Sequence, residues 1–218
     1  MTYGMIEFLA DIRDHKVDPG TAYEALSYVD RDRLEKAWRR LNQIRQLSAK
    51  GGSARVKEFR GRVSNHTGRV FERVVRVLLE RCAALKLGTN VRSTISEIDF
   101  LIVYGPLASA IPMFREAGSH SLGEAKCVKG AMKTEWVNEM AGFMPVHGCS
   151  LGILFTAAPP KRLGSAARHA ISLHAARGVR IVPFGPTQID RVIQGENFLV
   201  VLSEQYVNVA ALSTELHI

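Results

Sequence analysis

Ile98-Asp99-Phe100-Leu101-Ile102-Val103 and, further on, Leu122-Gly123-Glu124-Ala125-Lys126-Cys127 decide how this chain reads. Each is a short apolar run with the length of a β-strand, and each carries an acid where a buried strand does not want one. Asp99 and Glu124 are separated by 25 positions, and Lys126 follows Glu124 by two. Residues i and i+2 of a strand share a face, so Glu124 and Lys126 point the same way. An acid and an amine side by side on one strand, with a second acid on its neighbour, can hold a divalent cation and a water. That is metal-dependent phosphodiester hydrolysis in outline. The bland readings are a plain ion pair for Glu124 and Lys126 and a structural carboxylate for Asp99. The three together favour chemistry.

Working outward, Val70, Phe71, Val74, Val75, Leu78 and Leu79 form the apolar stripe of an amphipathic helix that ends near Gly88. A strand follows around Asn90–Ser93, then the Ile98–Val103 strand. The stretch 105–120 is long for a tight hairpin and is expected as a loop or extra turn. After the Ser121–Cys127 strand come a helix from about Thr134 to Met144 and the continuous apolar run 150–156, the pattern of a strand covered on both faces. A helix from about Ser165 to Arg177, a strand Val179–Pro183 and a short helix Thr187–Ile193 complete the core. Phe198–Leu202 and Tyr206–Ala210 read as edge strands or an interface.

Toward the N-terminus, residues 1 to about 50 read as helices. Ile6, Leu9, Ile12 and Arg13 have helical spacing, and Asp18-Pro19 suits an N-cap followed by the first helical position. Leu34, Trp38, Leu41, Ile44 and Leu47 mark a longer helix, and Lys50-Gly51-Gly52-Ser53 is the candidate linker. The order of elements predicts an α/β fold, with a small N-terminal helical region at 1–52 and the main domain at 53–218. Trp38 and Trp136 occupy positions compatible with packing.

The formal charge is +8, and its distribution matters more than its size. Residues 31–81 hold 15 Lys and Arg against 5 Asp and Glu, whereas the rest of the chain holds 14 against 16. All the basic excess thus lies in one stretch threaded with apolar residues, which favours a helical basic face and a polyanionic partner. Cys82, Cys127 and Cys149 have no CxxC spacing, so neither a disulfide framework nor a zinc site is indicated. The seven His are scattered, and Gly51-Gly52-Ser53 lacks the Lys of a phosphate-binding loop. The first residues are acidic early and do not read as a signal peptide, and no apolar run reaches membrane-spanning length. A cytoplasmic location is the expectation.

Six elements in order carry a resemblance over about residues 66 to 195. They are Gly68-Arg-Val-Phe-Glu72 with its Val-Val-Arg-Val-Leu-Leu continuation, Glu97-Ile98-Asp99-Phe100, Gly123-Glu124-Ala125-Lys126-Cys127, Trp136-Val-Asn-Glu139-Met-Ala-Gly142, Gly152-Ile-Leu-Phe-Thr156 and Val182-Pro-Phe-Gly-Pro-Thr-Gln-Ile-Asp. So arranged, the chain resembles the PD-(D/E)XK nuclease superfamily and, within it, the Mrr-like restriction endonucleases. Ile98 stands before Asp99 where the motif's name has Pro.

The resemblance implies a restriction-endonuclease-like core, a central mixed β-sheet flanked by helices, and hydrolysis of DNA phosphodiester bonds with Mg²⁺, for which Mn²⁺ can substitute. It makes Asp99 and Glu124 metal ligands, with the Ala125 backbone carbonyl as a third. Lys126 would orient the attacking water or stabilise the transition state, and Glu72 would reach the metal through water or bind a second ion. For Glu72 a solvated helix face is the plain alternative, and for Glu139 a surface role. Arg55, Lys57, Arg60, Arg62 and Arg69 lead into the helix of Glu72 and are expected on DNA phosphates, with Lys129 and Lys133 as further candidates. A double-strand break would require a homodimer or sequential nicking, and a partner ATPase or defence-system subunit is compatible with the family. Two alternatives stand beside this reading. One is a catalytically silent nucleic-acid-binding or assembly module of the same fold; the other is a structure-specific nuclease, junction-resolvase-like or RNA-cleaving.

Overall fold

The computed structural model describes residues 11, 19–49, 56–92, 97–128, 130–157 and 164–214. The helix expected around Ile6–Arg13 and the Lys50–Ser53 linker fall almost wholly outside these residues. Helix α1 (Pro19–Leu26) begins with Pro at its first position, where the missing N–H costs nothing. Helix α2 (Arg31–Ala49) buries Leu34, Trp38 and Leu41. It is started by Asp30, whose Oδ1 accepts the Arg33 N–H at 3.1 Å. Helix α3 (Val56–Leu79) is a single helix of 24 residues with Gly68 in its interior, and α2 packs along it.

The expected strand near Asn90 is longer than its composition suggests. β1 spans Leu85–Arg92, and α3 stops at Leu79 rather than near Gly88. Lys86 and Gly88 dilute the strand signal because β1 lies at the edge of the sheet, where half its residues need no apolar partner. β2 (Glu97–Tyr104) pairs antiparallel with β1, and β3 (His120–Lys126) pairs antiparallel with β2. The long connection between them is a 3₁₀ turn at Pro106–Ala110 and a short helix α4 (Pro112–Ala117) that buries Met113 and Phe114. Extra chain is thus packed as structure, and the β2–β3 pairing is undisturbed.

Helix α5 (Thr134–Val146) carries the chain to β4 (Leu151–Thr156), parallel to β3. Helix α6 (Ser165–Ala175) carries it to β5 (Arg180–Phe184), parallel to β4. The sheet order is therefore β1-β2-β3-β4-β5, a mixed sheet flanked by helices, in the α/β class the sequence predicts. Every residue of β4 is buried, as its unbroken apolar run requires.

The two faces of the sheet are packed differently. On one, Phe100, Phe155, Phe184 and Phe198 form a file with ring centroids 6.3, 5.7 and 5.4 Å apart. A Cβ on Gly123 would stand 3.0 Å from the Phe100 Cβ, so this glycine sets how closely β2 and β3 approach. On the other face α5 rests directly on β4: a Cβ on Gly152 would stand 2.6 Å from the Met140 Sδ and 2.8 Å from the Met144 Sδ.

Helix α7 (Pro186–Ile193) and helix α8 (Phe198–Thr214) close the chain. The C-terminal segment is one helix of 17 residues, not the edge strands its Phe-Leu-Val-Val-Leu composition suggests. Asn197 explains the outcome locally, since its Oδ1 accepts the Leu199 N–H at 2.8 Å and starts the helix. Phe198, Val201, Leu202, Tyr206 and Val209 are then buried at helical spacing. The Asn197 side-chain amide also donates to the carbonyls of Tyr23 and Ser27 at 3.0 and 3.1 Å, tying α8 to α1. Among the described residues no helix is long and apolar enough to cross a membrane.

Candidate active site

The β2–β3 ladder pairs Leu101 with Leu122 and Phe100 with Gly123. One step further in that register brings Asp99 opposite Glu124, on the face away from the phenylalanine file. Asp99 Oδ2 accepts the Ala125 N–H at 2.8 Å, which holds the carboxylate against β3 at the point where regular pairing ends. Lys126 Nζ donates to Glu124 Oε1 at 2.5 Å, joining the two same-face side chains of β3. About a quarter of each of these two side chains stays exposed, so the pair is shielded yet reachable from solvent. Helix α5 walls one side: Trp136, Glu139, Met140 and Phe143 line a small pocket together with Glu97, Glu124 and Lys126.

Charges in this half-buried setting shift one another. Burial raises the Asp99 carboxyl above its ordinary range, against the pull of the Ala125 N–H and of Lys126. Burial raises Glu124 as well, and the neighbouring Asp99 charge adds to the effect. Burial by itself would depress Lys126, but its hydrogen bond and charge contact with Glu124 outweigh that and leave its amine raised. Two acids thus share one cation. The surplus of negative charge is what a bound cation would relieve, and the donors facing it are hard carboxylate oxygens. The residues present therefore suit Mg²⁺ or Mn²⁺, with Asp99 and Glu124 as the groups that would hold it. Among the described residues no group of three or more His, Cys, Asp and Glu is placed to hold a metal ion.

The other expected site residues fall in several places. Glu72, on α3, is partly buried; burial raises its carboxyl and the Asp99 charge adds to this, so it lies within electrostatic reach of the pair. Glu139 faces the pocket and bears on Glu124 and Lys126 through its charge. Arg69 is exposed on α3 beside Glu72. Lys133 holds its Nζ 5.7 Å from the centre of the Trp136 ring, a cation–π contact at the pocket wall. Arg55 and Lys129 lie outside the described residues, and Lys57, Arg60 and Arg62 fall on the first turns of α3, where only the backbone is described.

Glu97, part of the Glu97–Phe100 motif but without a role assigned from the sequence, lines the pocket and raises Asp99 through like-charge repulsion. Its position two before Asp99 on the same strand was the available signal. Trp38, by contrast, belongs to packing: it is buried against Phe71 and its Nε1–H donates to Asp190 at 2.9 Å.

No family model matches the chain, and no curated protein does. Among solved structures, the chain is similar to metal-depleted Ecl18kI in complex with uncleaved, modified DNA. The likeness has a TM-score of 0.41 at 13% identity and covers 70% of this chain. It spans 49% of the Ecl18kI chain, about half its length.

Proposed function

We propose that this chain is a divalent-metal-dependent endonuclease that hydrolyses DNA phosphodiester bonds, of the Mrr-like restriction or defence type. The observation that carries the reading is the facing pair Asp99 and Glu124 with Lys126 hydrogen-bonded beside them at 2.5 Å. Asp99, Glu124 and the Ala125 carbonyl would hold Mg²⁺ or Mn²⁺. When bound, the ion supplies Lewis acidity toward the phosphate and lowers the pKa of water.

The protein's own residues have separable tasks. Asp99 and Glu124 supply the anionic oxygens and must be deprotonated to do so, against the rise that burial and mutual repulsion impose. Lys126 has a raised pKa and keeps its proton at neutral pH. It therefore acts as a fixed cation toward charge developing on the phosphate and orients water; it is not a general base. Glu72 bears on the pair from α3.

The test is plasmid cleavage with Mg²⁺ or Mn²⁺ against EDTA, with wild type beside Glu124→Ala and Lys126→Ala. Metal-dependent nicking or linearisation lost in both variants supports the reading. A folded wild type that binds DNA and never cuts it replaces the reading with a silent binding module. Cleavage that survives both substitutions removes Glu124 and Lys126 from the chemistry.

A further inference from the structure

Away from the acidic pocket, α2 and α3 enclose an open groove of about 660 Å³. Its walls present Arg33, Lys36 and Arg40 from α2 and Arg69, Arg73 and Arg76 from α3. The first three are spaced i, i+3, i+7 and the second three i, i+4, i+7, so each set lies on one helix face and the two faces meet. Glu72 is the acid in the lining, and Arg33 is paired with Glu80. Among the described residues no carboxylate stands at ion-pair distance from Lys36, Arg40, Arg69, Arg73 or Arg76, although Arg69 and Arg76 feel the Glu72 charge. Like charges gathered in a concave surface at this density repel one another, and a polyanion relieves that repulsion.

The groove extends to the strand step that carries Asp99. Glu72 lines it and also feels the Asp99 charge. Asn90 lines it too, from β1. The β1–β2 ladder pairs Thr89 with Phe100 and Val91 with Ile98, which leaves Asn90 at the step opposite Asp99. At that step Asn90 has a φ of 51°, left-handed backbone that Asn tolerates better than other side chains. Among the described residues it is the non-glycine residue with positive φ. The ladder thus skips one pair at the step where Asn90 lines the groove.

We propose that this groove is a DNA-backbone track, seating the phosphates that flank the scissile bond between cations of α2 and α3. The inference rests on the nuclease reading for what lies at its end, and on the groove alone for binding. Ala37 and Val70 are the apolar side chains in the lining, too few to anchor a protein partner, whose interface energy centres on buried aromatic and aliphatic groups. Long flexible cations without a hydrogen-bonding comb for base edges predict affinity that is salt-dependent and largely indifferent to sequence.

The experiment is fluorescence anisotropy of a labelled blunt duplex in EDTA, where cleavage cannot intervene, at several salt concentrations. Wild type, Arg39→Gln (a cation of α2 outside the groove) and the triple variant Lys36→Gln/Arg40→Gln/Arg73→Gln are compared, with circular dichroism checking the fold. Three lost phosphate contacts should lower the slope of log affinity against log salt by about 2.7, at about 0.9 per contact. Arg39→Gln should keep the wild-type slope. Should the triple variant misfold, Arg40→Gln and Arg73→Gln singly should each lower the slope by about 0.9. A folded groove variant with wild-type affinity and slope overturns the track while leaving the nuclease reading in place. Loss of slope in the groove variant, with no cleavage by wild type in Mg²⁺, leaves the track standing and removes the nuclease.

Discussion

Asp99 has two tasks that different substitutions separate. As a structural group it accepts the Ala125 N–H at 2.8 Å; as a charge it adds repulsion to Glu124. Asp99→Asn keeps a carbonyl oxygen for that N–H and removes the repulsion. Its stability without metal should equal the wild type's or exceed it by up to about 1 kcal/mol. Asp99→Ala strips the acceptor from a partly buried N–H, which costs about 1–3 kcal/mol. At about 2–4 °C per kcal/mol for a chain of this size, the Ala variant should melt about 2–12 °C below wild type. Both should lose metal-dependent cleavage. Adding Mg²⁺ should raise the melting temperature of wild type and of neither variant, because only ligand bound to the folded state stabilises it. Differential scanning fluorimetry with and without Mg²⁺, beside plasmid cleavage, reads all of this. An Asn variant that cuts DNA, or one that melts as low as the Ala variant, would refute the division of roles.

The raised carboxyls set a pH dependence. Asp99 and Glu124 bind protons more tightly folded than unfolded, so their contribution is full below the ordinary carboxylate range near 4 and is lost as pH rises through their raised values. Without metal, the stability of Asp99→Asn/Glu124→Gln relative to wild type should therefore grow from pH 4 to pH 7 in denaturant titrations, and a gap that shrinks contradicts the assigned shifts. Gly123→Ala would force a Cβ to 3.0 Å from that of Phe100, prising β2 from β3 beside the acids. A cost of about 1–3 kcal/mol is expected, and residual cleavage should fall further than the folded fraction does. Trp38→Phe keeps an aromatic against Phe71 but loses the 2.9 Å bond to Asp190. It should cost about 0.5–1.5 kcal/mol by urea unfolding and leave DNA affinity in the anisotropy assay unchanged.

What could be read in the sequence follows from where each signal is stored. The acids of β2 and β3 stand out because a carboxylate inside an apolar run costs free energy unless something nearby answers it. The unbroken run of β4 declares burial on both faces, and all six of its residues are buried. Helix α8 misleads because its apolar side chains lie nearly all round, which blurs the 3.6-residue period and leaves strand-like composition as the visible signal. The Asn197 cap was the countersign. Of the groove's cations, the sequence points to Arg69 alone, since Arg33, Lys36 and Arg40 gain meaning only once α2 lies against α3. The spacing within each triplet was there to be read, but not which helix would face it.

The strands of the sheet are laid side by side in the order in which they are made. During synthesis each new strand can therefore pair with the one just finished, without waiting for distant chain. The N-terminal helices are in the opposite position. Their partners across the fold, Asp190 for Trp38, the Gly195 carbonyl for Arg31 at 2.7 Å, and Asn197 for the end of α1, come almost last. A ribosome-bound chain truncated before α7 would hold a sheet in the making beside a helical arm with one side unclaimed. Completion of α7 and α8 is then the step that ties α1 and α2 to the sheet-bearing part of the fold.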